Sequence, residues 1–187
     1  VRPDGSVTRK AVVKAVDGVS FSIPQGAVIG VIGESGCGKS TLGRLLVRLE
    51  KCTAGRIYLD GTDMETLYRK DRLAFRRQTQ MVFQNPFDTF DPRHSIGKIL
   101  MDTMKLHRIR SSEAERRELA IRDLASAGLL PAESFLDRFP YELSGGQLQR
   151  ISIIRSMFLK PGFIIADEPV SMLDVSVRAE IINMLID

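Results

Sequence analysis

The sequence predicts an α/β fold whose core is interrupted by a mostly helical insertion. Residues 28–32 and 163–166 are short apolar runs typical of buried strands, and they lie far apart in the chain. Between about residues 95 and 140 the apolar residues recur at helical spacing instead. A glycine-rich loop follows the first apolar run and precedes a helical pattern, so the order strand, loop, helix is predicted there.

Several short apolar runs supply the predicted β structure. The segment 11–32 is rich in valine and predicts β structure with a turn at Pro24-Gln25-Gly26. A second strand and tight turn are predicted at Ile57-Tyr58-Leu59 and Asp60-Gly61. Residues 81–83 form another apolar run, which predicts a further short strand.

The helical insertion carries a clear start signal. Ser112 followed by Glu115 three residues later is the capping-box pattern, which predicts a helix N-terminus at Ser112. Gly128 and Pro131 predict the end of that helix, because glycine favours the left-handed backbone after a helix and proline does not continue one.

The composition is ordinary for a globular protein, and it excludes several classes. Of the 187 residues, 43% are hydrophobic and 27% are charged. No apolar segment approaches the roughly 20 residues that a membrane helix needs, so work on a membrane would require another chain to span it. The net charge is only +4, and the basic cluster at residues 69–77 predicts a solvated helix face in preference to a nucleic-acid groove. No nucleic acid is therefore expected as a partner.

The glycine-rich loop carries the strongest chemical signal. It fits the phosphate-binding pattern Gly-x-x-x-x-Gly-Lys-Ser/Thr at every fixed position. Its backbone N–H groups can bind a triphosphate, Lys39 can reach the outer phosphates, and the Ser40 hydroxyl can ligate Mg²⁺. The alternative is a glycine-rich strand-to-helix turn without a ligand. The predicted nucleotide-binding residues are Gly33, Glu34, Ser35, Gly36, Cys37, Gly38, Lys39, Ser40 and Thr41.

Two carboxylates end the apolar run 163–166. Hydrolysis of a magnesium-bound nucleotide needs both: Asp167 would hold the metal, and Glu168 would orient or deprotonate the attacking water. Alone, an Asp-Glu pair after a strand is a weak signal because such pairs often cap a helix. Downstream of a phosphate-binding loop it indicates a catalytic site.

A second predicted anion site lies at Ser144-Gly145-Gly146-Gln147, directly before a helical run. Ser144 is a good N-cap, and the two glycines leave N–H groups open at the helix N-terminus. One triphosphate reaches both helix N-termini only if the fold or a second copy of the chain brings them together. The alternative is an ordinary serine-capped helix.

These motifs, in this order, resemble the ATP-binding subunit of an ABC transporter over essentially the whole chain. The resemblance implies a P-loop NTPase core with an N-terminal antiparallel β subdomain and a helical insertion. It divides a single domain, residues 1–187, into an ATP-binding core at about 1–84 and 141–187 and a helical subdomain at about 85–140.

The same resemblance implies further site residues and partners. Gln84 would be a glutamine that senses Mg²⁺ and contributes to catalysis with Glu168 and Lys39, and Asp174 would lie in a loop that crosses a dimer interface. Two ATPase subunits, identical or related, would pack head to tail, with each ATP held between the phosphate loop of one and the Ser144 motif of the other. Mg²⁺ would be held by Ser40, Gln84 and Asp167.

The implied function is a Mg²⁺-dependent ATPase that powers solute import through a separate permease, bound peripherally at the cytoplasmic face of the membrane. Residues 14–21, 33–41, 82–87 and 173–177 resemble the oligopeptide and dipeptide importers, although importers of nickel and other solutes share much of them. The other alternative is a non-transport ABC ATPase acting on DNA or the ribosome. The short insertion, without heptads or cysteines, favours the transporter type.

The chain departs from the family in three places, one of which is Ser156, where the family more often has alanine and to which no function is attached. The segment around Arg9-Lys10-Ala11 has no aromatic residue to stack on adenine. A switch histidine is expected on a strand beyond Asp187, so the chain is expected to be truncated at the C-terminus relative to the family.

Overall fold

A computed structural model describes residues 13–171, 173 and 175–186 of the chain. The helices are α1 (Lys39–Leu46), α2 (Met64–Lys70), α3 (Arg72–Gln78), α4 (Ile96–Leu106), α5 (Glu113–Ser126), α6 (Ala132–Leu136), α7 (Gly145–Met157) and α8 (Val175–Ile186). The strands are β1 (Tyr58–Leu59), β2 (Thr62–Asp63), β3 (Thr79–Val82) and β4 (Phe163–Ala166). Short 3₁₀ turns lie at Pro86–Thr89 and Pro140–Glu142.

Strands β3 and β4 form a parallel pair, with Thr79 opposite Phe163 and Val82 opposite Ala166. The ladder continues one step further, because the N–H of Asp167 donates to the carbonyl oxygen of Val82 at 2.9 Å. Parallel strands end at the same edge of a sheet. The residues that follow the two strands therefore lie side by side, although more than 80 positions separate them in the sequence.

Strands β1 and β2 form a hairpin over a two-residue turn, which confirms the strand and turn predicted at residues 57–61. Asp60 and Gly61 have φ angles of +49° and +74°. Positive φ at both central positions is the type I′ geometry that matches the twist of the flanking strands.

The strand prediction for residues 11–32 is wrong for the part of it that the structure describes, because residues 13–32 contain no strand. The described antiparallel pairing is the β1–β2 hairpin alone. The turn at Pro24–Gly26 is present, since the N–H of Ala27 donates to Pro24 at 3.2 Å. A strand is stable only beside a neighbour that completes its hydrogen bonds, and neither β3 nor β4 pairs with the apolar run 28–32. Val28 and Ile32 are consequently 80% and 96% exposed.

Helix α1 packs on the β3–β4 pair through its one buried residue, Gly43. A side chain there would lie 3.0 Å from Ile165 of β4, so glycine allows the close approach. Arg76 of α3 holds the other end of α1, because its guanidinium donates to the carbonyl oxygens of Val47 at 2.7 Å and Arg48 at 3.0 Å. These bonds satisfy carbonyls that a helix C-terminus leaves free.

Helices α4, α5, α6 and α7 share the larger apolar core. Its fully buried residues include Ile96, Leu100, Met104, Ala120, Leu124, Leu148 and Ile151. The opposite side of α7 reaches a smaller core, where Ile153 packs with Val82 of β3. Helix α7 therefore contacts both the helical insertion and the sheet. Within the described residues, no helix has the length and apolar character needed to cross a membrane.

The capping box predicted at Ser112 is confirmed. The Ser112 hydroxyl accepts from the N–H of Glu115 at 3.1 Å, and the Glu115 carboxylate accepts from the N–H groups of Ser111 and Ser112 at 3.0 Å each. The hydrogen bonds that the Glu115 carboxylate accepts lower its pKa from 4.5 to about 2, and the bond from the Ser112 N–H contributes most. The ionised carboxylate therefore stabilises the start of α5.

Replacement of Glu115 by alanine should lower the Tm at pH 7. Because the pKa is depressed in the folded state, this stabilisation is complete above pH 4.5 and is lost as the pH falls toward about 2. The Tm difference between the variant and the unmodified chain should shrink over that range in circular-dichroism melts. Glu118→Ala, at an exposed position of the same helix, is the control. If the Tm difference between Glu115→Ala and the unmodified chain stayed the same near pH 2, it would contradict this explanation.

Candidate functional site

The phosphate-binding loop is held in a backbone geometry that requires glycine at two positions. Gly36 and Gly38 have φ angles of +80° and +102°. Gly38 is the N-cap of α1, and a side chain there would collide with the carbonyl oxygen of Ala15. L-residues pay a steric cost at positive φ, and the collision adds to it at Gly38. The sequence folds this way locally because glycine lets the chain reverse directly into a helix N-terminus.

The Lys39 ammonium lies across the start of the loop. Its Nζ donates to the carbonyl oxygens of Gly33 and Glu34, each at 2.8 Å, and lies 3.9 Å from the Cys37 sulfur. Carbonyl oxygens orient the ammonium without neutralising it, so its full positive charge remains beside the loop. An anion bound there would gain that charge together with the helix N-terminus.

Ser40 and Asp167 meet where α1 begins and β4 ends. The Ser40 hydroxyl donates to Asp167 Oδ1 at 2.9 Å, and the pair is partly buried. A hydroxyl and a carboxylate are hard oxygen ligands, and Mg²⁺ uses one or two such groups together with water and phosphate oxygens. The described residues contain no cluster of three His, Cys, Asp or Glu side chains that would enclose a metal. The donor set at Ser40 and Asp167 therefore fits Mg²⁺ held jointly with a nucleotide.

Gln84 and Glu168 meet at the same edge, two residues beyond Val82 and one residue beyond Asp167. The Gln84 amide nitrogen donates to Glu168 Oε2 at 2.8 Å and to the Ser171 hydroxyl at 3.1 Å. The backbone of Glu168 has a φ of +46°, an unfavourable value for a residue with a side chain. The N–H and hydroxyl of Ser171 both donate to the Glu168 carbonyl, at 3.1 and 3.0 Å. These bonds hold the strained turn at Glu168, whose carboxylate accepts the bond from Gln84.

Ser144 is the N-cap of α7, as predicted. Its hydroxyl accepts from the N–H of Gln147 at 3.3 Å, and the Gln147 side chain accepts from the N–H of Ser144 at 3.0 Å. The amides of Gly145 and Gly146 make no hydrogen bond within the described part of the chain. They leave open donors at the positive end of a 13-residue helix.

The structure brings the predicted site residues together in two hydrogen-bonded pairs, and a third set, the segment 144–147, belongs to neither pair. Ser40 lies with Asp167, and Gln84 lies with Glu168, both at the ends of the parallel strands. Among the described residues, no hydrogen bond joins the segment 144–147 to the phosphate-binding loop. The predicted interface residue Asp174 lies outside the residues that the structure describes.

Sequence reasoning did not identify two polar residues of α7 that contact the segment after β3. Gln149 bonds to the carbonyl oxygen of Phe83 and Arg155 bonds to that of Thr89. For Gln149, the signal in the sequence was a polar residue among apolar helical neighbours, Leu148 and Ile153, both of which are buried.

Comparisons with known proteins agree on a family. Residues 16–171 match a family described as ABC transporter. The chain is 46% identical over 177 residues to YkfD of Bacillus subtilis, a putative oligopeptide transport ATP-binding protein, covering 95% of this chain and 53% of the relative. It is 45% identical over 183 residues to DppF of Escherichia coli, a dipeptide transport ATP-binding protein, covering 98% and 54%. The chain spans about half the length of these relatives.

Solved structures of ATP-binding cassettes share the fold. The dimeric post-hydrolysis structure of the cassette MJ0796, bound to ADP and Pi, is similar with a TM-score of 0.82 and 30% identity, over 96% of this chain and 77% of that one. CbiO1 of Clostridium perfringens, part of the ABC transporter complex cbiONQ, is similar with a TM-score of 0.73 and 28% identity, over 92% and 66%. The predicted α/β fold is thereby confirmed.

Gly38→Ala should destabilise the protein more than Gly36→Ala. Alanine at either position adopts an unfavourable positive φ, at a cost of about 1 kcal/mol. At Gly38 the new methyl group also meets the Ala15 carbonyl, whereas at Gly36 it would point into open space. Chemical denaturation of both variants gives the comparison. Equal losses in unfolding free energy would mean that Ala15 moves aside without cost.

Proposed function

The chain belongs to the ABC transporter family, and from that premise we propose that it binds and hydrolyses ATP to drive solute import through a separate membrane permease. The observation that carries the proposal is the meeting of Ser40 with Asp167 and of Gln84 with Glu168 at one sheet edge. Ser40 and Asp167 supply oxygen ligands for a metal. The carboxylate of Glu168 lies next to them and is not one of these ligands. Metal-assisted hydrolysis of a nucleotide needs that separation of roles.

Residues of the phosphate-binding loop and the start of α1 bind the triphosphate. Loop N–H groups and Lys39 neutralise the outer phosphates, and they act most strongly on charge that develops as the γ-phosphate leaves. Ser40, Asp167 and Gln84 are the groups that would hold Mg²⁺, which supplies charge neutralisation at the phosphates when bound.

Glu168 acts on the attacking water. One oxygen of its carboxylate, Oε2, is engaged by the Gln84 amide. The other oxygen can accept a hydrogen bond from water, and a water held in this way is oriented and made more nucleophilic. Ser171 fixes the Glu168 backbone in this direction through its two bonds to the carbonyl.

A second ATPase subunit, identical or related, completes the site. The open donors of Gly145 and Gly146 suit a phosphate, yet they make no bond to the loop of their own chain among the described residues. A head-to-tail partner would place them against its nucleotide. The related cassette MJ0796 has been solved as a dimer, which supports this assembly.

The transported solute is proposed to be an oligopeptide or dipeptide. The names of YkfD and DppF support this substrate class, and relatives such as the putative peptide import proteins of Brucella, 47% identical, agree with it. The subunit would bind peripherally to its permease at the cytoplasmic face of the membrane.

Steady-state turnover with Mg²⁺ and ATP, measured across a range of protein concentrations, tests the proposal. Specific activity should rise with concentration, because a composite site between two subunits forms only in the dimer. Activity independent of concentration would contradict the shared site. Absence of ATP binding in calorimetry would contradict the function itself.

Glu168→Gln should bind ATP with affinity close to that of the unmodified chain and should lose turnover by about a hundredfold or more, the range for loss of a general base. Glutamine keeps the size of the side chain and removes the proton acceptor. Glu118→Gln, on the exposed face of α5, is the matched control and should retain turnover. Normal turnover of the Glu168 variant would exclude this residue as the group that activates water.

A further inference from the structure

Helix α7 carries one fully buried amide side chain. Gln149 is 1% exposed, and its Nε2 donates to the carbonyl oxygen of Phe83 at 3.2 Å. Phe83 is the residue directly before Gln84, and Gln84 in turn contacts Glu168. A hydrogen bond from a buried side chain therefore joins α7 to the backbone that leads into the proposed catalytic pair.

Packing alone does not account for glutamine at this position. In the described part of the chain the Gln149 Oε1 atom is buried without a hydrogen-bond partner. A buried polar atom without a partner costs free energy, whereas a methionine of similar size would fill the same space without that cost. The carbonyl oxygen of Phe83 can only accept a hydrogen bond, so the amide nitrogen of Gln149, and not its oxygen, must face it. The bond to Phe83 is the one contact of this amide that a methionine at the same position would lack.

A second bond ties the same segment to α7 further along. The largely buried guanidinium of Arg155 donates to the carbonyl oxygen of Thr89 at 3.0 Å and lies 4.6 Å from the ring centroid of Phe90. Desolvation lowers the pKa of this arginine. The segment 83–90 is thus attached to α7 near both of its ends.

We propose that Gln149 is a positioning residue that couples the N-terminus of α7 to the Gln84–Glu168 contact. Gly145 and Gln149 lie about 6 Å apart along the helix axis, a little over one turn. A shift of α7 when its N-terminus engages a phosphate would therefore reach the Phe83 carbonyl directly. Movement of Phe83 alters the reach of the Gln84 amide toward Glu168. This inference rests on the proposed function, because it assumes that nucleotide occupies the site.

The same helix offers a matched control. Ser156 is also buried, and its hydroxyl donates at 3.1 Å to the Ser152 carbonyl of its own helix. Ser156→Ala removes a buried polar group from α7 without touching the segment 83–90. Gln149→Met removes the bond to Phe83 and retains the side-chain volume.

A tryptophan reporter can detect the coupling without measuring activity. The chain contains no tryptophan, and Tyr141 is exposed in the 3₁₀ turn just before α7. Tyr141→Trp therefore places a single fluorophore near the N-terminus of α7. Emission is recorded on titration with MgADP at a protein concentration where sedimentation shows a monomer, so that no partner subunit contacts the reporter. Calorimetry gives the affinity of each variant.

Coupling between two sites is reciprocal, so MgADP bound beside Gln84 should also displace the N-terminus of α7 in the monomer. MgADP should therefore change the reporter emission in the Tyr141→Trp protein and in its Ser156→Ala version. The change should be lost in the Gln149→Met version, while the dissociation constant stays within about twofold and kcat for ATP falls about fivefold or more, with KM retained. A Gln149→Met protein that keeps both the emission change and kcat would overturn the proposal. Equal effects of Gln149→Met and Ser156→Ala would also overturn it, because they would indicate a general loss of packing.

Hydrogen exchange on the unmodified chain provides a test that does not depend on the folding of a variant. Binding of MgADP should alter the protection of peptides covering residues 83–90 and 144–150 together. A change confined to residues 83–90 would overturn the coupling and leave the proposed function intact. Failure of the unmodified chain to bind MgADP or MgATP would overturn the proposed function and this inference with it.

Discussion

Four residue pairs between β3 and β4 hold together the two parts of the chain that carry the site. Neither Gln84 nor Glu168 lies in a strand, yet both are fixed because each follows a strand that is locked to the other in register. The extra bond from Asp167 to Val82 extends that order to the first residue beyond the sheet. From there Asp167 reaches Ser40 of α1, so the phosphate-binding helix is aligned to the same edge. A shift of the β3–β4 register by one residue would turn these side chains to the opposite face of the sheet.

Local signals allowed much of this to be predicted from the sequence. The capping box at Ser112, the N-cap at Ser144 and the hairpin turn at Asp60 depend on neighbouring residues alone, and all three are present. The apolar run 28–32 was predicted as a strand, and it is not one, because strand formation depends on a partner that a local pattern cannot specify. Gln149 was missed for a related reason, since the sequence does not indicate which carbonyl a buried amide will meet.

Many of the basic side chains serve the fold. Guanidinium groups of Arg76, Arg116, Arg150 and Arg155 each donate to backbone carbonyls that helix ends or turns leave free. Arginine suits this task because its planar fork presents several donors and remains charged. The ring of Tyr68 is additionally covered by guanidinium groups, among them that of Arg76. The basic composition near residues 69–77 therefore reflects internal attachment of α2 and α3 as well as surface charge.

The exposed run 28–32 has a practical consequence for handling this chain in solution. Val28, Ile29, Val31 and Ile32 are all exposed, the run contains no charged residue or proline, and its backbone pairs with no strand of the described sheets. A short, uncharged, β-branched segment whose backbone pairs with no strand among residues 13–171 is the type of sequence that templates strand addition between molecules. A lysine introduced into the run would place a charge there and oppose such strand addition.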